Sequence, residues 1–280
     1  MPIQTLAIVG VGLIGGSIGL AAKRRGLAAR VVGVGRQQSS LDEALAVGAI
    51  DEAFLDLGQA VRRADFTVFC TPVDRIVEQV AGCSSLCSLG SVLTDAGSTK
   101  AAIVRGLDGR LPAGVSFVGS HPLAGSEKRG PRFADPELFQ NRVTVVTPTP
   151  QTDAAAIEKV IGFWRGLGSR VKVMEPEAHD RALALTSHLP HLAASALSSL
   201  LPPELRELAA TGFRDTTRVA AGDPVLWTGI FLQNRQAVLD ALGLLADRLE
   251  GLRTAIAAED RAVLDDLLAQ AKRNRDALGS

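Results

Sequence analysis

Apolar residues come in short blocks through the first half of the chain and at helical spacing through the second. TLAIVG (5–10), RVVGVG (30–35), FTVFC (66–70), SVLTD (91–95) and SFVGS (116–120) are compact apolar runs that read as buried strands. Leu13 to Arg25 and DRIVEQVA (74–81) lie between them with helical spacing. Strands separated by helices predict βαβ units and a mostly parallel sheet. NRVTVVTP (141–148) and RVKVM (170–174) extend the sheet around a helix near 154–165. After Met174 the strand signal stops. EPEAHDRALALTSHLPHLAASALSSL (175–200) predicts one long helix, kinked at Pro190 because proline removes a backbone donor. Leu205–Thr211, Val225–Glu250 and Glu259–Leu278 also read as helices. The expected architecture is α/β followed by all-α, with one domain over 1–174 and a helical domain over 175–280. With no Gly/Ser linker between them, the two are expected to pack tightly.

Composition narrows the classes. The chain has 280 residues, 46% hydrophobic, which is enough for a sizeable core. Thirty basic and thirty acidic residues cancel, so bulk charge points to neither nucleic acid nor a membrane surface. Cys70, Cys83 and Cys87 form neither a disulfide framework nor a zinc pattern, and reduced thiols in a cytoplasmic protein are expected. Cys70 reads as a buried strand residue, and Trp164 and Trp227 as core anchors. The uncharged stretch Leu6–Ala22 is short for a membrane span and is interrupted by glycines, which suits a strand, a tight turn and a helix.

That turn, GVGLIGGS (10–17), matches G-x-G-x-x-G at Gly10, Gly12 and Gly15. Such a turn lets the backbone approach a pyrophosphate and points a helix N-terminus at it. A dinucleotide-binding domain is therefore expected over 1–174. NAD-binding folds place an acid after the second strand to hold the ribose hydroxyls. Here Gly35 stands in that place, followed by Arg36, Gln37, Ser39 and Ser40. A guanidinium suits a 2′-phosphate, so NADP is the expected cofactor and NAD the alternative.

A nicotinamide cofactor implies hydride transfer, which requires a base for the hydroxyl proton. The chain has four histidines. His121 follows a strand at the edge where the nicotinamide is expected. DAGSTK (95–100) ends the neighbouring strand, so Ser98 is placed to orient the ring. His188 and His191 are three residues apart on the long helix and share a face. A metal site there is not expected, because no matched carboxylates accompany the pair. His179 reads as a local cap or a surface residue.

The combination GVGLIGGS, CTPV (70–73), TDAGSTK (94–100), GSHPLAGSEKRG (119–130), SHLPHLAASAL (187–197) and GFRDTTRVAAGDPVLW (212–227) resembles the prephenate/arogenate dehydrogenases of tyrosine biosynthesis. The resemblance spans nearly the whole chain. It implies a Rossmann domain followed by a helical dimerisation domain, and a homodimer. It implies oxidation of prephenate or arogenate with loss of carbon dioxide. His121 is then the acceptor for the ring hydroxyl, with Ser98 as its partner and at the nicotinamide end. Arg218 would bind the ring carboxylate and Asp215 would fix the loop that carries it. His191 would face the substrate side chain, with His188 supporting the pocket. The cofactor set is Gly10, Gly12, Leu13, Ile14, Gly15, Arg36, Thr71, Pro72 and Ser98.

No acid adjoins His191 in its own motif to attract the arogenate ammonium, although Glu127 is a candidate. Prephenate is therefore expected to be used at least as well. Helices that run almost to Ser280 leave no expected room for an appended regulatory domain. Two alternatives remain: another Rossmann dehydrogenase with a helical second domain, and an NADP-sensing protein without turnover.

Overall fold

A computed structural model describes residues 3–126 and 128–279. The chain divides into two compact units, Met1–Asn234 and Arg235–Ser280. The first unit begins β1 (Ile3–Val9), α1 (Leu13–Arg24), β2 (Ala28–Val34), α2 (Gln38–Ala46), β3 (Glu52–Phe54), α3 (Leu57–Val61), β4 (Phe66–Phe69), α4 (Val73–Ser84). It continues β5 (Val92–Asp95), α5 (Ala101–Leu107), β6 (Ser116–Pro122), β7 (Val143–Thr147), α6 (Ala154–Gly166) and β8 (Arg170–Val173). The eight strands form one sheet in the order β3-β2-β1-β4-β5-β6-β7-β8. All neighbours are parallel except β6 and β7, which pair antiparallel with His121 opposite Val145.

The apolar runs are strands because both faces of the sheet are covered. Leu6 and Ile8 of β1 enter one core cluster, while Ala7 and Val9 enter the other. Successive side chains point to opposite faces, so an unbroken apolar run is what a doubly covered strand needs. Between β1 and β4 the strand order reverses, which opens a crevice at their C-terminal ends. Loops after β1, β4, β5 and β6 meet along that edge.

The helical part of the first unit departs from expectation. The 175–200 stretch is α7 (Pro176–Leu183), a π turn at Ala184–His188 and α8 (Leu189–Ser199). Pro190 sits in the first turn of α8, where its missing N–H costs little. The wider turn before it takes the place of a simple kink. The helix expected at 205–211 is a 3-10 turn at Pro203–Leu208, and α9 (Thr211–Thr217) follows. The helix expected at 225–250 is broken, with α10 (Pro224–Gln233) ending at Asn234. The second unit pairs α11 (Arg235–Ala257) with α12 (Arg261–Asp276). Glu259, at φ 51°, makes the turn, and the Asp260 side chain caps α12.

Candidate active site

The glycine turn fits a dinucleotide for reasons visible at each position. Gly10 has φ 92°, and a Cβ there would stand 2.9 Å from the Cys70 carbonyl oxygen. A Cβ on Gly15 would collide with the Gly10 carbonyl, so the fold itself requires both glycines. Gly12 is different: a Cβ there would meet nothing within 4 Å. The space in front of it is open, as close approach by a pyrophosphate requires. Helix α1 starts at Leu13 and Ile14 with no side-chain cap and no acid in its first turn, so its N–H groups face that space unopposed. Thr71 and Pro72 form the opposite wall, and the Thr71 hydroxyl donates to Gln79 Oε1 at 2.5 Å. Cys70 is half-buried and lies one residue past β4, so it belongs to this wall and not to the strand interior. Burial and the Asp95 carboxylate push its thiol pKa far up.

Beyond β2, Arg36 is exposed and makes no hydrogen bond or ion pair among the described residues. Gly35 has a packing reason of its own, since a Cβ there would press on Leu41 at 3.1 Å.

The loop after β5 is organised by a buried charge. Asp95 is fully buried and pairs with the equally buried Lys100 ammonium. Its carboxylate also accepts from Gly97 N at 2.9 Å and Ser120 N at 3.0 Å. A buried ion survives only when paired and hydrogen-bonded, and this one joins the β5 loop to β6. Ser98 sits half-buried in that loop.

His121 is the second-last residue of β6 and is 9% exposed. Its Nδ1 lies 2.9 Å from His179 Nε2, and His179 Nδ1 lies 2.8 Å from Asp180 Oδ1. The ring orientation therefore comes from His179 and not from Ser98, which has no hydrogen bond to His121 among the described residues. His179 is neither cap nor surface residue: it is fully buried on α7. Helical spacing alone could not reveal this, because α7 packs against α5 and β7 only in the folded chain. Burial first, then the neighbouring His179, Lys100 and His188, hold His121 well below the usual histidine range. It is neutral at pH 7 and able to accept a proton.

His188, at the end of the π turn, and His191, in α8, both lie against Trp227 and Phe231. Trp227 is a stacking surface as well as an anchor: its ring lies 3.7 Å from that of His191 at an interplanar angle of 17°. Asn234 Nδ2 donates to the Asp180 carbonyl at 2.7 Å and stands 3.1 Å from His188 Nδ1. An amide N–H makes that Nδ1 an acceptor, so the His188 hydrogen is on Nε2. His188 Nε2 and His191 Nδ1 are buried and have no hydrogen-bond partner among the described residues. Burial lowers both pKa values, that of His188 to about 4. No group of three metal-ligating side chains assembles among the described residues.

Arg218 begins a short turn, Arg218–Ala221, that packs on α8. Both Arg218 and Asp215 are exposed, and no ion pair joins them among the described residues, so the expected tether by Asp215 is not formed. Glu127 lies outside the described residues. Sequence reasoning missed Asp95, Lys100, His179, Asp180 and Asn234. An acid and a lysine bracketing a strand-end loop was the available signal for the first two.

Two family models cover the chain. Prephenate dehydrogenase, nucleotide-binding domain, matches residues 18–173, and prephenate dehydrogenase, dimerization domain, matches 175–270. The chain belongs to the prephenate dehydrogenase family. It is an oxidoreductase with a nicotinamide dinucleotide cofactor. It is 35% identical to a prephenate dehydrogenase of Bacillus subtilis over 98% of this chain and 76% of that one. A cyclohexadienyl dehydrogenase of Zymomonas mobilis is 36% identical, with 98% and 95% covered. The solved structure of Aquifex aeolicus prephenate dehydrogenase with hydroxyphenyl propionate and NAD+ superposes at a TM-score of 0.92, with 32% identity and 99% of each chain covered.

Proposed function

We propose that this chain oxidatively decarboxylates prephenate, uses arogenate no better, and prefers NADP. The observation that carries the reading is His121: a buried, neutral imidazole whose Nδ1 is engaged by His179 and whose Nε2 makes no protein hydrogen bond among the described residues. That is the state required of a general base. The Gly10–Gly15 turn, Thr71, Pro72 and Ser98 would hold the dinucleotide, whose nicotinamide supplies a hydride acceptor. His121 takes the proton of the substrate hydroxyl as the carbinol carbon is oxidised. Arg218 holds the ring carboxylate, which departs as carbon dioxide when the ring becomes aromatic. Holding the groups in reacting geometry accounts for several kcal/mol of barrier, roughly 7–11 in the best intramolecular cases.

The unpartnered nitrogens of His188 and His191 suit a substrate that brings its own polar atoms. His188 Nε2–H offers a donor to a keto or carboxylate oxygen. No carboxylate bonds to either ring among the described residues, so nothing described there favours an ammonium. The preference for NADP rests on Arg36, Ser39 and Ser40, which stand exposed or half-exposed after β2.

A homodimer is proposed on independent grounds. Leu239, Leu244, Leu249 and Leu268 of the second unit are all more than half exposed. Spaced five residues apart on α11, the first three leave apolar surface on more than one side of the helix, which a second copy matching the dimerization domain would cover. The test of function is a two-by-two assay: prephenate or arogenate, each with NAD or NADP. Reduced NADP forming fastest from prephenate is the expected result. Failure of both substrates to be oxidised sinks the reading, and a hundredfold preference for arogenate sinks the substrate assignment.

A further inference from the structure

We propose that His179, anchored by Asp180, is the positioning residue that sets the tautomer of His121 and leaves its Nε2 bare for the substrate proton. The proposal rests on the reading of His121 as the base and adds how that base is kept in a usable form.

The hydrogen-bond chain has a direction that chemistry dictates. The Asp180 carboxylate accepts from Lys100 N at 2.8 Å and Ala101 N at 2.9 Å, both from the start of α5. Each carboxylate oxygen already accepts from an amide, Oδ1 from Lys100 N and Oδ2 from Ala101 N, so the group offers His179 an acceptor. An ionised carboxylate can only accept, so His179 Nδ1 carries a hydrogen and donates to it. A neutral ring has one N–H, so His179 Nε2 is then a lone pair. It faces His121 Nδ1 at 2.9 Å, and the hydrogen between them must belong to His121. His121 Nε2 is left without one. In the opposite tautomer two lone pairs would face each other in a buried site, which burial makes costly. The same chain steadies the product of proton transfer, because the imidazolium keeps its bond to His179 and the anion stands one ring away.

Asp180 also caps α5, so replacing it confounds positioning with folding. His179 separates the two. His179→Leu removes the acceptor. His179→Gln retains it, since the amide oxygen accepts from His121 while the amide N–H donates to Asp180.

The experiment compares the full-length wild type, H179L and H179Q. The ring nitrogens of His121 are read by 15N NMR near pH 8 without substrate and assigned by their loss in His121→Asn. Turnover and Michaelis constants are measured with prephenate and NADP. The wild type should carry its hydrogen on Nδ1. H179Q should keep that tautomer and hold kcat within about tenfold, while H179L mixes the tautomers and loses about a hundredfold or more in kcat. The prephenate KM should change by no more than about threefold in either variant, as loss of a transition-state contribution requires. A folded H179Q as impaired as H179L would overturn the proposal in favour of simple packing. So would H179L with wild-type kcat and tautomer. If H179L does not fold, the wild-type spectrum decides alone, because a hydrogen on His121 Nε2 contradicts the direction of the chain. A wild type with the expected tautomer but no turnover of prephenate would overturn the functional reading and leave this one standing.

Discussion

Two groups of histidines occupy the first unit, and they are finished to different degrees. Around His121 each ring nitrogen of His179 has a partner, Asp180 accepts from two backbone amides, and Asp95 and Lys100 neutralise each other below. Around His191 the neighbours are aromatic, and one ring nitrogen each of His188 and His191 is buried with no partner among the described residues. Burial alone would penalise both groups alike. A completed network holds one protonation state before anything binds. An incomplete one is costly in isolation and repays that cost when a ligand supplies the missing atoms. The first group has the form of a catalytic device and the second that of a recognition surface.

Mutations should separate them, beginning with the largest effect. His121→Asn should fold and bind NADP yet lose about 10²–10⁴ in kcat, the usual contribution of a general base. The wild-type rate should fall in acid as His121 is protonated. Because its pKa is held below the ordinary 6.5, that limb should lie below pH 6.5. Near-normal turnover in the variant, or a limb above pH 7, would assign the proton to another group. Arg218→Gln should leave cofactor binding intact and lower kcat/KM by about a hundredfold, the value of a charge-assisted pair to a carboxylate. An unchanged kcat/KM would place the ring carboxylate elsewhere.

The recognition end should respond differently. His191→Ala should raise KM for prephenate by about tenfold and for arogenate by less, with kcat little altered. A fall in kcat with KM unchanged would erase the distinction between the two groups. The smallest effect is expected farthest from the chemistry. Replacing Arg36 with Gln, together with Gly35→Asp, should shift cofactor choice toward NAD by about fivefold, roughly 1 kcal/mol. Gly35→Asp must also displace Leu41, so the single Arg36 variant is the cleaner comparison. A wild type that already prefers NAD tenfold would show this loop misread.

Much of this was legible before folding was considered. The apolar runs marked the strands flanking the crevice, and the glycine spacing marked the turn. His121, Ser98 and Arg218 were singled out by the motifs that carry them. The short elements β3, α2, α3 and α5 were not, because three to nine residues carry too little periodicity. Nor were the breaks at Ala184–His188 and Asn234, where the backbone answers to tertiary partners. Asn234 ends α10 with its amide on the Asp180 carbonyl and beside His188, a role no local pattern encodes.

The sequence by itself determined the sheet, the phosphate-facing turn and the residue types available for proton transfer. These depend on periodicity, on glycine stereochemistry and on the scarcity of histidine. Only the tertiary structure decided which histidine holds which. His121 and His179 are 58 residues apart, and a hydrogen bond between them exists only because α7 returns to the edge of β6. The pairing of Lys100 N with Asp180 spans 80 residues for the same reason. Local spacing can say that a side chain is able to carry a proton. Which nitrogen carries it depends on partners that only the folded chain brings within 3 Å.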